Sequence, residues 1–500
     1  MTTRRDFLTT AAGTAAVALT GGGHLLRSAA AQSGGANDKL KFAVVGVGGR
    51  GKSHIAGLLK DGGVVITHIV DVDRAIGEKT VEDVARKQGA RPEFVVDFRD
   101  VLDPDLIDGV AVATPNHVHA LQATEALEAG LHVYVEKPVS HNVWEGRQIV
   151  NAAAKSGKIC QCGTQSRSYQ SLMDARDYVQ GGELGAIRHA IGLCYKARMP
   201  IGLLEEPLEI PEEIDYERWS GPAAKEDLYR PKVHYDWHWD FNTGNGDMGN
   251  QGIHQMDIAR WMLGETKLSP MVRSIGGRLG YEDAGDTPNT QTVIHGYDAP
   301  LIFETRGLPK SDAIRPKWGN GPDMDEYRGA RMGVVVQCER GHLLVPAHNP
   351  KAEAYDDDGQ LVKEWNERGD MTAKHIGNFL DAVRAGDASL LNAPIEEGHV
   401  SSALCHTGGI SHLLGEKASG AACREAAEAE GDVWLDSYDR MAEHLRANGV
   451  DVSGEALTLG ARLTMDPDTE LFTGENADEA NGHFMRKRDY RKGFAVKDYS

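Results

Sequence analysis

The chain has 500 residues, 41% of them hydrophobic, so it can bury more than one core and is expected to form two or three domains. Asp and Glu number 74 against 54 Lys and Arg, which gives a formal net charge of −20. A surface this acidic repels nucleic acids and anionic membranes, so we expect no nucleic-acid partner and a neutral or weakly charged small-molecule substrate. The six cysteines lack paired C-x-x-C spacing, and a zinc site built from cysteine is not expected.

Residues 1–31 have the features of an export signal. Residues 3–8 read Thr-Arg-Arg-Asp-Phe-Leu, which resembles a twin-arginine (Tat) motif, and a weakly apolar run and a small-residue stretch follow. The apolar run is too short to span a bilayer, so no membrane span is expected in the mature chain. The twin-arginine route, as the resemblance implies, carries folded proteins. We therefore expect a periplasmic or other extracytoplasmic location, with any cofactor loaded before export.

Residues 41–73 carry a pattern typical of nucleotide-binding α/β domains. An apolar run predicts a buried strand, and Gly46, Gly48 and Gly51 then give G-x-G-x-x-G at the point where the strand must turn into a helix. The first glycine permits the tight turn, the second lets a pyrophosphate approach the backbone, and the third allows the helix to pack on the strand. The motif predicts a dinucleotide site at a helix N-terminus. A structural glycine turn in another α/β protein is the alternative.

The second predicted strand, Val64–Val70, indicates which dinucleotide is bound. It ends at Asp71, 20 residues after Gly51, where an acidic side chain hydrogen-bonds the adenosine ribose. This spacing favours NAD over NADP. Arg74 lies close by and is able to accept a 2′-phosphate, so NADP remains the alternative.

Residues 38–162 alternate short apolar runs with helical segments, which predicts a Rossmann domain with a doubly wound parallel sheet. Ligands of such sheets bind at the carboxyl ends of the strands. The predicted strand ends at this edge carry further candidate cofactor-binding residues, namely Thr114, Pro115, Asn116, His119, Glu136 and Lys137.

Residues 163–415 predict a second α/β domain with an open, mostly antiparallel sheet. Its strands are predicted at residues 187–195, 272–279, 291–297, 301–305, 334–338 and 342–345. An irregular insertion, residues 199–250, separates the first strand from a helix that carries His254. Residues 417–500 form a C-terminal extension, which we expect to wrap the body and to which the sequence assigns no function.

Four motifs together resemble the Gfo/Idh/MocA oxidoreductases. They are the glycine turn, Ala-Thr-Pro-Asn at 113–116 with His119, Glu-Lys-Pro at 136–138, and Gly-Ile-His-Gln-Met-Asp at 252–257. Each is short, but their order and spacing match the family over residues 40–415. The resemblance implies a Rossmann domain and NAD(P)-dependent chemistry on sugars or cyclitols. It also implies an α/β domain whose open sheet often makes subunit contacts, so a homo-oligomer is expected.

Lys137 and His254 are the candidate catalytic residues. Oxidation of a carbinol carbon needs a base for the hydroxyl proton, and desolvation and a cationic nicotinamide both lower the pKa of a lysine at the cofactor crevice. A solvated lysine and a buried structural histidine are the alternatives. The resemblance implies that His254 works with the lysine in proton transfer and that Asp257 contacts substrate hydroxyls.

The sequence departs from the family pattern four residues before His254. Many family dehydrogenases have an aspartate there, whereas this chain has Asn250, and an amide cannot take a proton. Asn250 is therefore a candidate for binding substrate. Asp247 is an alternative base if the segment is helical.

The insertion is rich in aromatic residues. We predict that Trp237 and Trp239 stack on sugar C–H groups, and the alternative is that the aromatic side chains hold a long loop to the body. His234 and His238 are four residues apart, as in some metal sites. No third ligand motif accompanies them, so no metal is predicted.

Three functions remain. The favoured one is an exported NAD(P)-dependent oxidoreductase of a sugar, cyclitol or related polyol that holds its cofactor tightly, because no nicotinamide pool exists outside the cytoplasm. The second is an NAD-dependent, redox-neutral glycoside hydrolase of the kind also found on this fold. The third is a non-catalytic sugar-binding protein, which the presence of both Lys137 and His254 disfavours.

Overall fold

The computed structural model describes residues 39–347, 349–484 and 490–500. The predicted export signal, residues 1–31, lies outside these ranges. Within them, no helix combines the length and the apolar character needed to cross a membrane.

The N-terminal half is a six-stranded parallel sheet flanked by helices. Its strands are β1 (Leu40–Val45), β2 (Val64–Val70), β3 (Glu93–Val95), β4 (Gly109–Val112), β5 (His132–Val135) and β6 (Cys160–Cys162). Its helices are α1 (Gly51–Lys60), α2 (Arg74–Gln88), α3 (Asn116–Glu128) and α4 (Val143–Ser156). The strand order β3-β2-β1-β4-β5-β6 is that of a doubly wound dinucleotide-binding sheet, so the predicted Rossmann domain is confirmed.

Side-chain caps fix where two of these helices start. The Asp73 carboxylate accepts a hydrogen bond from the Ile76 N–H at 3.1 Å and begins α2. Asn142 accepts one from the Glu145 N–H at 2.9 Å and begins α4. Each cap satisfies an N–H group that the first turn of a helix leaves unpaired, which holds both helix N-termini at the carboxyl edge of the sheet.

The second half contains a larger, mixed sheet. Its strands are β7 (Ile187–Tyr195), β8 (Met271–Gly277), β9 (Thr290–His295), β10 (Leu301–Arg306), β11 (Met332–Cys338), β12 (Gly341–Pro346), β13 (Lys351–Tyr355), β14 (Leu361–Asn366), β15 (Glu416–Ala418), β16 (Leu457–Leu459), β17 (Leu463–Asp466) and β18 (Leu471–Thr473). The order is β14-β13-β12-β11-β7-β10-β9-β8-β16-β15, with β17 paired to β8 and β18. Only the β7–β10 pair is parallel among the described strands of this sheet, so the mostly antiparallel prediction is confirmed.

The remaining helices are α5 (Gln170–Gln180), α6 (Tyr216–Ser220), α7 (Ile253–Leu263), α8 (Met371–Ala385), α9 (Ile395–Leu413), α10 (Gly420–Ala429), α11 (Asp432–Ala447) and α12 (Ala477–Glu479). Helices α7 and α9 cover one face of the large sheet, where Met256 and Leu404 share a buried core with Phe303. Helix α8 returns to the Rossmann half, where Phe379 meets Phe42 edge to face at 6.0 Å between ring centroids. The two halves therefore share a core.

The C-terminal extension covers the other face of the large sheet. Trp434 and Leu445 of α11 are fully buried in one cluster with Ile191 and Ile302 of the sheet. The sheet face that was predicted to make subunit contacts is thus covered within the chain over β7 to β10, because α11 buries its apolar side there. The part of the sheet face that α11 covers is therefore not available for subunit contacts.

Charged side chains also fix α11 on the sheet. Arg440 of α11 donates hydrogen bonds to both carboxylate oxygens of Glu304, at 2.6 and 2.8 Å. His444 lies 2.8 Å from Asp325, which also pairs with Arg306 at 2.7 Å. Buried ion pairs of this kind depend on every partner being present, so they define the position of α11.

Candidate active site

The glycine turn between β1 and α1 has the geometry that a dinucleotide requires. Gly46 has φ +79°, and a Cβ there would lie 2.8 Å from the backbone of Ala113 and Thr114. A Cβ on Gly51 would lie 2.0 Å from the Gly46 carbonyl oxygen, so both positions exclude a side chain. Gly48 is less crowded, since a Cβ there would meet only the Ile76 side chain, in ordinary contact at 3.7 Å. Gly48 is where a pyrophosphate would approach the backbone.

Asp71 lies at the end of β2 and is 9% exposed. It accepts hydrogen bonds from the backbone N–H of Val47 at 2.7 Å and from that of Asp73 at 3.0 Å. Burial raises the pKa of Asp71, and the two backbone hydrogen bonds oppose that effect. Arg74, the alternative partner for a 2′-phosphate, is exposed and is not among the residues that line the cavity described next.

A cavity of about 610 Å³ runs along the carboxyl edge of the parallel sheet, a volume typical of small-molecule and cofactor sites. Residues 96–99, 217–219, 234, 235, 237 and 238, together with Phe494, line the cavity on the side of the insertion and the C-terminus. The predicted cofactor-binding residues that line it are Gly46, Gly48, Asp71, Thr114, Pro115, Asn116, His119, Glu136 and Lys137. Gly51 lies behind the turn. The structure thus brings nearly all of the predicted cofactor residues to one cavity.

Glu136, the residue before Lys137, is bound to Arg50 of the glycine turn. Its Oε1 accepts hydrogen bonds from Arg50 Nε at 2.7 Å and Gln165 Nε2 at 3.0 Å, and His54 Nε2 lies 3.0 Å away. Burial alone would raise the pKa of Glu136, but the Arg50 and His54 partners hold it well below its usual range. Glu136 therefore stays ionised and holds Arg50 at the glycine turn, a role that the sequence motif did not reveal.

Lys137 points toward the insertion. Its Nζ donates a hydrogen bond of 2.6 Å to the backbone oxygen of Asn250, which lines the same cavity. Desolvation lowers the pKa of Lys137, and the nearby cations Arg50 and Lys196 lower it further against the opposing charge of Glu136. A lowered pKa brings a lysine closer to the range in which it exchanges protons, which suits Lys137 to an acid–base role.

His119 and Asn116 position loops around the cavity. His119 is 1% exposed, with Nδ1 2.7 Å from the Pro138 oxygen and Nε2 2.7 Å from the Thr114 oxygen. Asn116 Nδ2 donates to Asn245 Oδ1 at 3.0 Å. His119 thereby ties the loop after β4 to the loop after β5.

Helix α7 places the other predicted catalytic and substrate residues. His254 is half-buried in its first turn and is not among the residues that line the cavity. Asp257 is 1% exposed, accepts from Arg167 Nε at 2.9 and 3.1 Å, and accepts from Ser401 Oγ at 2.7 Å. The Asp257 carboxylate is therefore engaged inside the core rather than presented to substrate hydroxyls.

The residues just before α7, Asp247 and Asn250, were both predicted to take part in the chemistry, but the structure places them in different environments. Asp247, the alternative base, is 1% exposed and pairs with Arg198, whose Nε donates at 2.7 Å. Residues Met248–Gly252 form a single π-helical turn, and Asn250 within it lines the cavity. Trp239 is 5% exposed, and the Cζ atom of Arg198 lies 4.7 Å from the centroid of the Trp239 ring. Trp237 lines the cavity, so it alone of the two tryptophans is placed for stacking.

His238 is a cavity residue that the sequence suggested only as a weak metal ligand. Its Nδ1 donates a hydrogen bond to the Tyr235 carbonyl, and its ring stacks on Trp237 at 3.6 Å between centroids. Burial lowers the pKa of His238 to about 3, and the Lys137 charge adds to that effect. The imidazole is thus neutral, with its proton on Nδ1 and a lone pair on Nε2.

The other histidine of the suggested metal pair has a different partner. His234 Nε2 lies 2.9 Å from Asp73, at the start of α2. In the part of the chain that the structure describes, no group of three His, Cys, Asp or Glu side chains is arranged to hold a metal ion.

The parallel sheet, the glycine turn and the cavity define a dinucleotide-binding oxidoreductase fold. Residues 40–164 match the family model of the GFO_IDH_MocA oxidoreductase family, NAD-binding Rossmann fold, and residues 186–308 match that family's C-terminal alpha/beta domain. Over these two regions, which together make up just under half of the chain, the sequence is similar to the Gfo/Idh/MocA oxidoreductase family.

Individual proteins show the same likeness. An uncharacterized oxidoreductase, YrbE, of Bacillus subtilis is 26% identical over 299 residues, which are 56% of this chain and 75% of that protein. An alpha-N-acetylgalactosaminidase of Shewanella oneidensis is 28% identical over 154 residues, 30% of this chain and 34% of that enzyme. This match therefore spans about a third of the glycosidase.

A solved structure extends the likeness over most of the fold. Levoglucosan dehydrogenase in complex with NADH and levoglucosan has a TM-score of 0.55 at 17% identity, covering 74% of this chain and 97% of that one. At this identity the comparison shows a shared fold.

Proposed function

We propose that the protein is an NAD(P)-dependent oxidoreductase that acts on a sugar, cyclitol or related polyol and holds its cofactor tightly. One observation carries the proposal: a single cavity joins the glycine turn and Asp71 to Lys137 and Asn250. A cofactor site and a candidate proton acceptor thus share one cavity, as dehydrogenation requires. The fold shared with a levoglucosan dehydrogenase supports a carbohydrate substrate.

The residues at the adenosine side fit NAD better than NADP. Gly48 leaves space for the pyrophosphate, and the N–H groups of the first turn of α1 suit an anion. Asp71 and Asp73 place two carboxylates at the end of β2, which favours ribose hydroxyls and repels a 2′-phosphate. When bound, the nicotinamide would accept or return a hydride at the substrate carbon.

Two groups of this chain are placed to handle the substrate proton. Lys137 Nζ lies 2.6 Å from the Asn250 carbonyl oxygen, and its lowered pKa suits it to exchange a proton with the substrate hydroxyl. His238 offers an unprotonated Nε2 in the same cavity. His254 stays the predicted partner from α7. Trp237 presents an aromatic face and Asn250 an amide to the substrate.

An exported location is consistent with a tightly held cofactor. The twin-arginine motif in residues 1–31 supports an extracytoplasmic, periplasmic location, where a tightly held cofactor is of use because it need not be replaced from a nicotinamide pool. If the protein is a homo-oligomer, we expect its contacts outside the sheet face that α11 covers.

The Asp71→Ala variant tests the ribose contact. We expect it to weaken NAD binding by about 1–3 kcal/mol, the value of a hydrogen bond to a charged group. Calorimetry on nucleotide-free protein measures the change, and Asp83→Ala, an exposed position on α2, serves as the control. Unchanged affinity in Asp71→Ala would show that this carboxylate does not contact the ribose.

A redox-neutral glycoside hydrolase is the second candidate function. The similarity to an alpha-N-acetylgalactosaminidase favours it, as does Asn250 at the position where many family dehydrogenases have an aspartate. In such an enzyme Asn250 need only hydrogen-bond a substrate hydroxyl while Lys137 or His238 acts as base.

One experiment separates the candidates. Protein is mixed with a panel of free sugars and aryl glycosides in single-turnover amounts, while absorbance at 340 nm and released aglycone are recorded together. Lasting NADH without aglycone supports the oxidoreductase, which we expect. Aglycone without lasting NADH supports the hydrolase, and neither signal across a broad panel would leave a sugar-binding protein.

A further inference from the structure

The end of the chain lies against the Rossmann domain. Residues 490–500, here called the C-terminal strap, run beside α3 and α4. Tyr490 Oη donates to Glu145 Oε1 at 2.9 Å and the backbone N–H of Tyr499 donates to Gln148 at 2.6 Å, whereas the exposed Lys497–Glu128 pair contributes little. Val496 is 5% exposed and belongs to the core on this side of the sheet. The strap is therefore seated on the domain at several points.

Phe494 is the residue of the strap that lines the cofactor cavity. Its ring lines the cavity beside Arg99, Leu121 and Glu125. Two guanidinium groups contact the ring, with the Cζ of Arg99 5.7 Å and that of Arg491 5.1 Å from its centroid. Arg99 also donates to the Gly493 oxygen at 2.7 Å and to the Glu125 carboxylate. These contacts hold the Phe494 ring in place.

Arg491 joins the strap to the insertion. It donates to the backbone oxygens of Glu217 at 3.0 Å and Gly221 at 3.1 Å, and it pairs with the Glu217 carboxylate. The same part of the insertion is tied to the sheet edge, because the Asp215 N–H donates to the Val72 oxygen at 2.9 Å. A second ion pair, Arg218 to Asp97 at 2.8 Å, holds it over the loop after β3.

These contacts close one end of the cavity, and Asp71 indicates which end. Asp71 marks the adenosine ribose, and residues 96–99, residues 217–219 and Phe494 form the wall next to it. The wall therefore surrounds the place where the adenine would lie. Three distant parts of the chain meet there, and the strap is the outermost of them.

We propose that the C-terminal strap and residues 213–221 form a latch over the adenosine half of the dinucleotide, with Phe494 as a wall of the adenine subsite. This inference rests on the proposed dinucleotide site. It assigns a role to the end of the C-terminal extension, for which the sequence offered none. Its consequence is kinetic: the nucleotide leaves only when the contacts of Phe494 and Arg491 open, so release is slow.

The strap offers both test positions and a control. Phe494→Ala removes the ring from the adenine subsite, and Phe494→Leu keeps apolar packing but removes the aromatic face. Arg491→Ala releases the strap from Glu217. Lys497→Ala removes only the exposed pair with Glu128, away from the cavity, and serves as the control. All four are made in the full chain.

The measurement is the dissociation rate of NADH, followed by the fluorescence of bound NADH after mixing with excess NAD in a stopped-flow instrument. We expect Phe494→Ala to release NADH about tenfold faster, the effect of losing an aromatic contact of about 1.4 kcal/mol. Phe494→Leu and Arg491→Ala are expected to accelerate release as well, and Lys497→Ala is expected to match the wild type.

A second readout covers the case of a misfolded variant. Trypsin cleavage after Lys492, an exposed strap residue, is expected to slow when NADH is bound to the wild type. The latch alone would be overturned if the wild type binds NADH, all variants release NADH at the same rate, and bound NADH gives no protection from trypsin. A wild-type protein that gives no NADH signal would overturn the dinucleotide site itself and the latch with it.

Discussion

Replacing Lys137 by methionine is expected to lower turnover by about 10²- to 10⁴-fold, the usual contribution of a positioned acid or base. The methionine keeps most of the side-chain volume and removes only the ammonium that donates to the Asn250 oxygen. The glycine turn and Asp71 do not depend on this group, so the cofactor is expected to remain bound. Steady-state kinetics together with the nucleotide content of the purified variant measure both effects.

Lys155→Met is the matched control, because Lys155 is exposed in the last turn of α4. We expect it to keep wild-type turnover. Full activity in Lys137→Met would instead assign the base to His238, whose Nε2 is unprotonated in the same cavity, or to His254.

Asp257→Ala is expected to reduce the free energy of unfolding by about 3–5 kcal/mol, the cost of removing one partner from a buried ion pair. Arg167 is 3% exposed and would lose the carboxylate that accepts from its Nε at 2.9 Å. Glu397, 3.1 Å away, remains as its only other acidic partner among the described residues. Urea denaturation monitored by circular dichroism measures the loss.

Asp381→Ala provides the comparison. Asp381 also faces an arginine, at 3.8 Å, but its side chain is 76% exposed, so its removal is expected to cost no more than about 1 kcal/mol. Normal stability in Asp257→Ala combined with a raised KM would contradict the core role and return Asp257 to the substrate site that the family resemblance implied.

The parts of the fold that the sequence predicted depend on local pattern. The strand Val64–Val70 has the same bounds in the prediction and the structure, because an apolar run between polar turns specifies a buried strand. The glycine turn is also local, since Gly46 and Gly51 are fixed by contacts within a few residues and with the adjacent strand end. Such signals are present in a single sequence.

The features that the sequence did not show depend on distant partners. Asp257 is taken into the core by Arg167, 90 residues away, and Asp247 by Arg198, 49 residues away. Neither ion pair can be predicted from the spacing of residues around His254. The cavity position of His238 follows a backbone with positive φ at Tyr235, a conformation that is uncommon for a tyrosine.

The sequence also did not predict that α11 packs on the large sheet, because this contact too depends on distant partners. Helix α11 reads as an ordinary amphipathic helix in a C-terminal extension, and its fit to β7 and β10 becomes visible only when Trp434 and Arg440 meet their partners. The family resemblance implied subunit contacts through this sheet, and the extension covers the part of its face over β7, β9 and β10.

The account depends most on a bound nicotinamide dinucleotide. Purified protein that has never been exposed to added nucleotide is denatured, and the released small molecules are identified by chromatography and mass spectrometry. We predict release of NAD or NADH in a one-to-one ratio with the chain. The account would be contradicted by folded protein that releases no nucleotide on denaturation and, in calorimetry, binds neither NAD nor NADP.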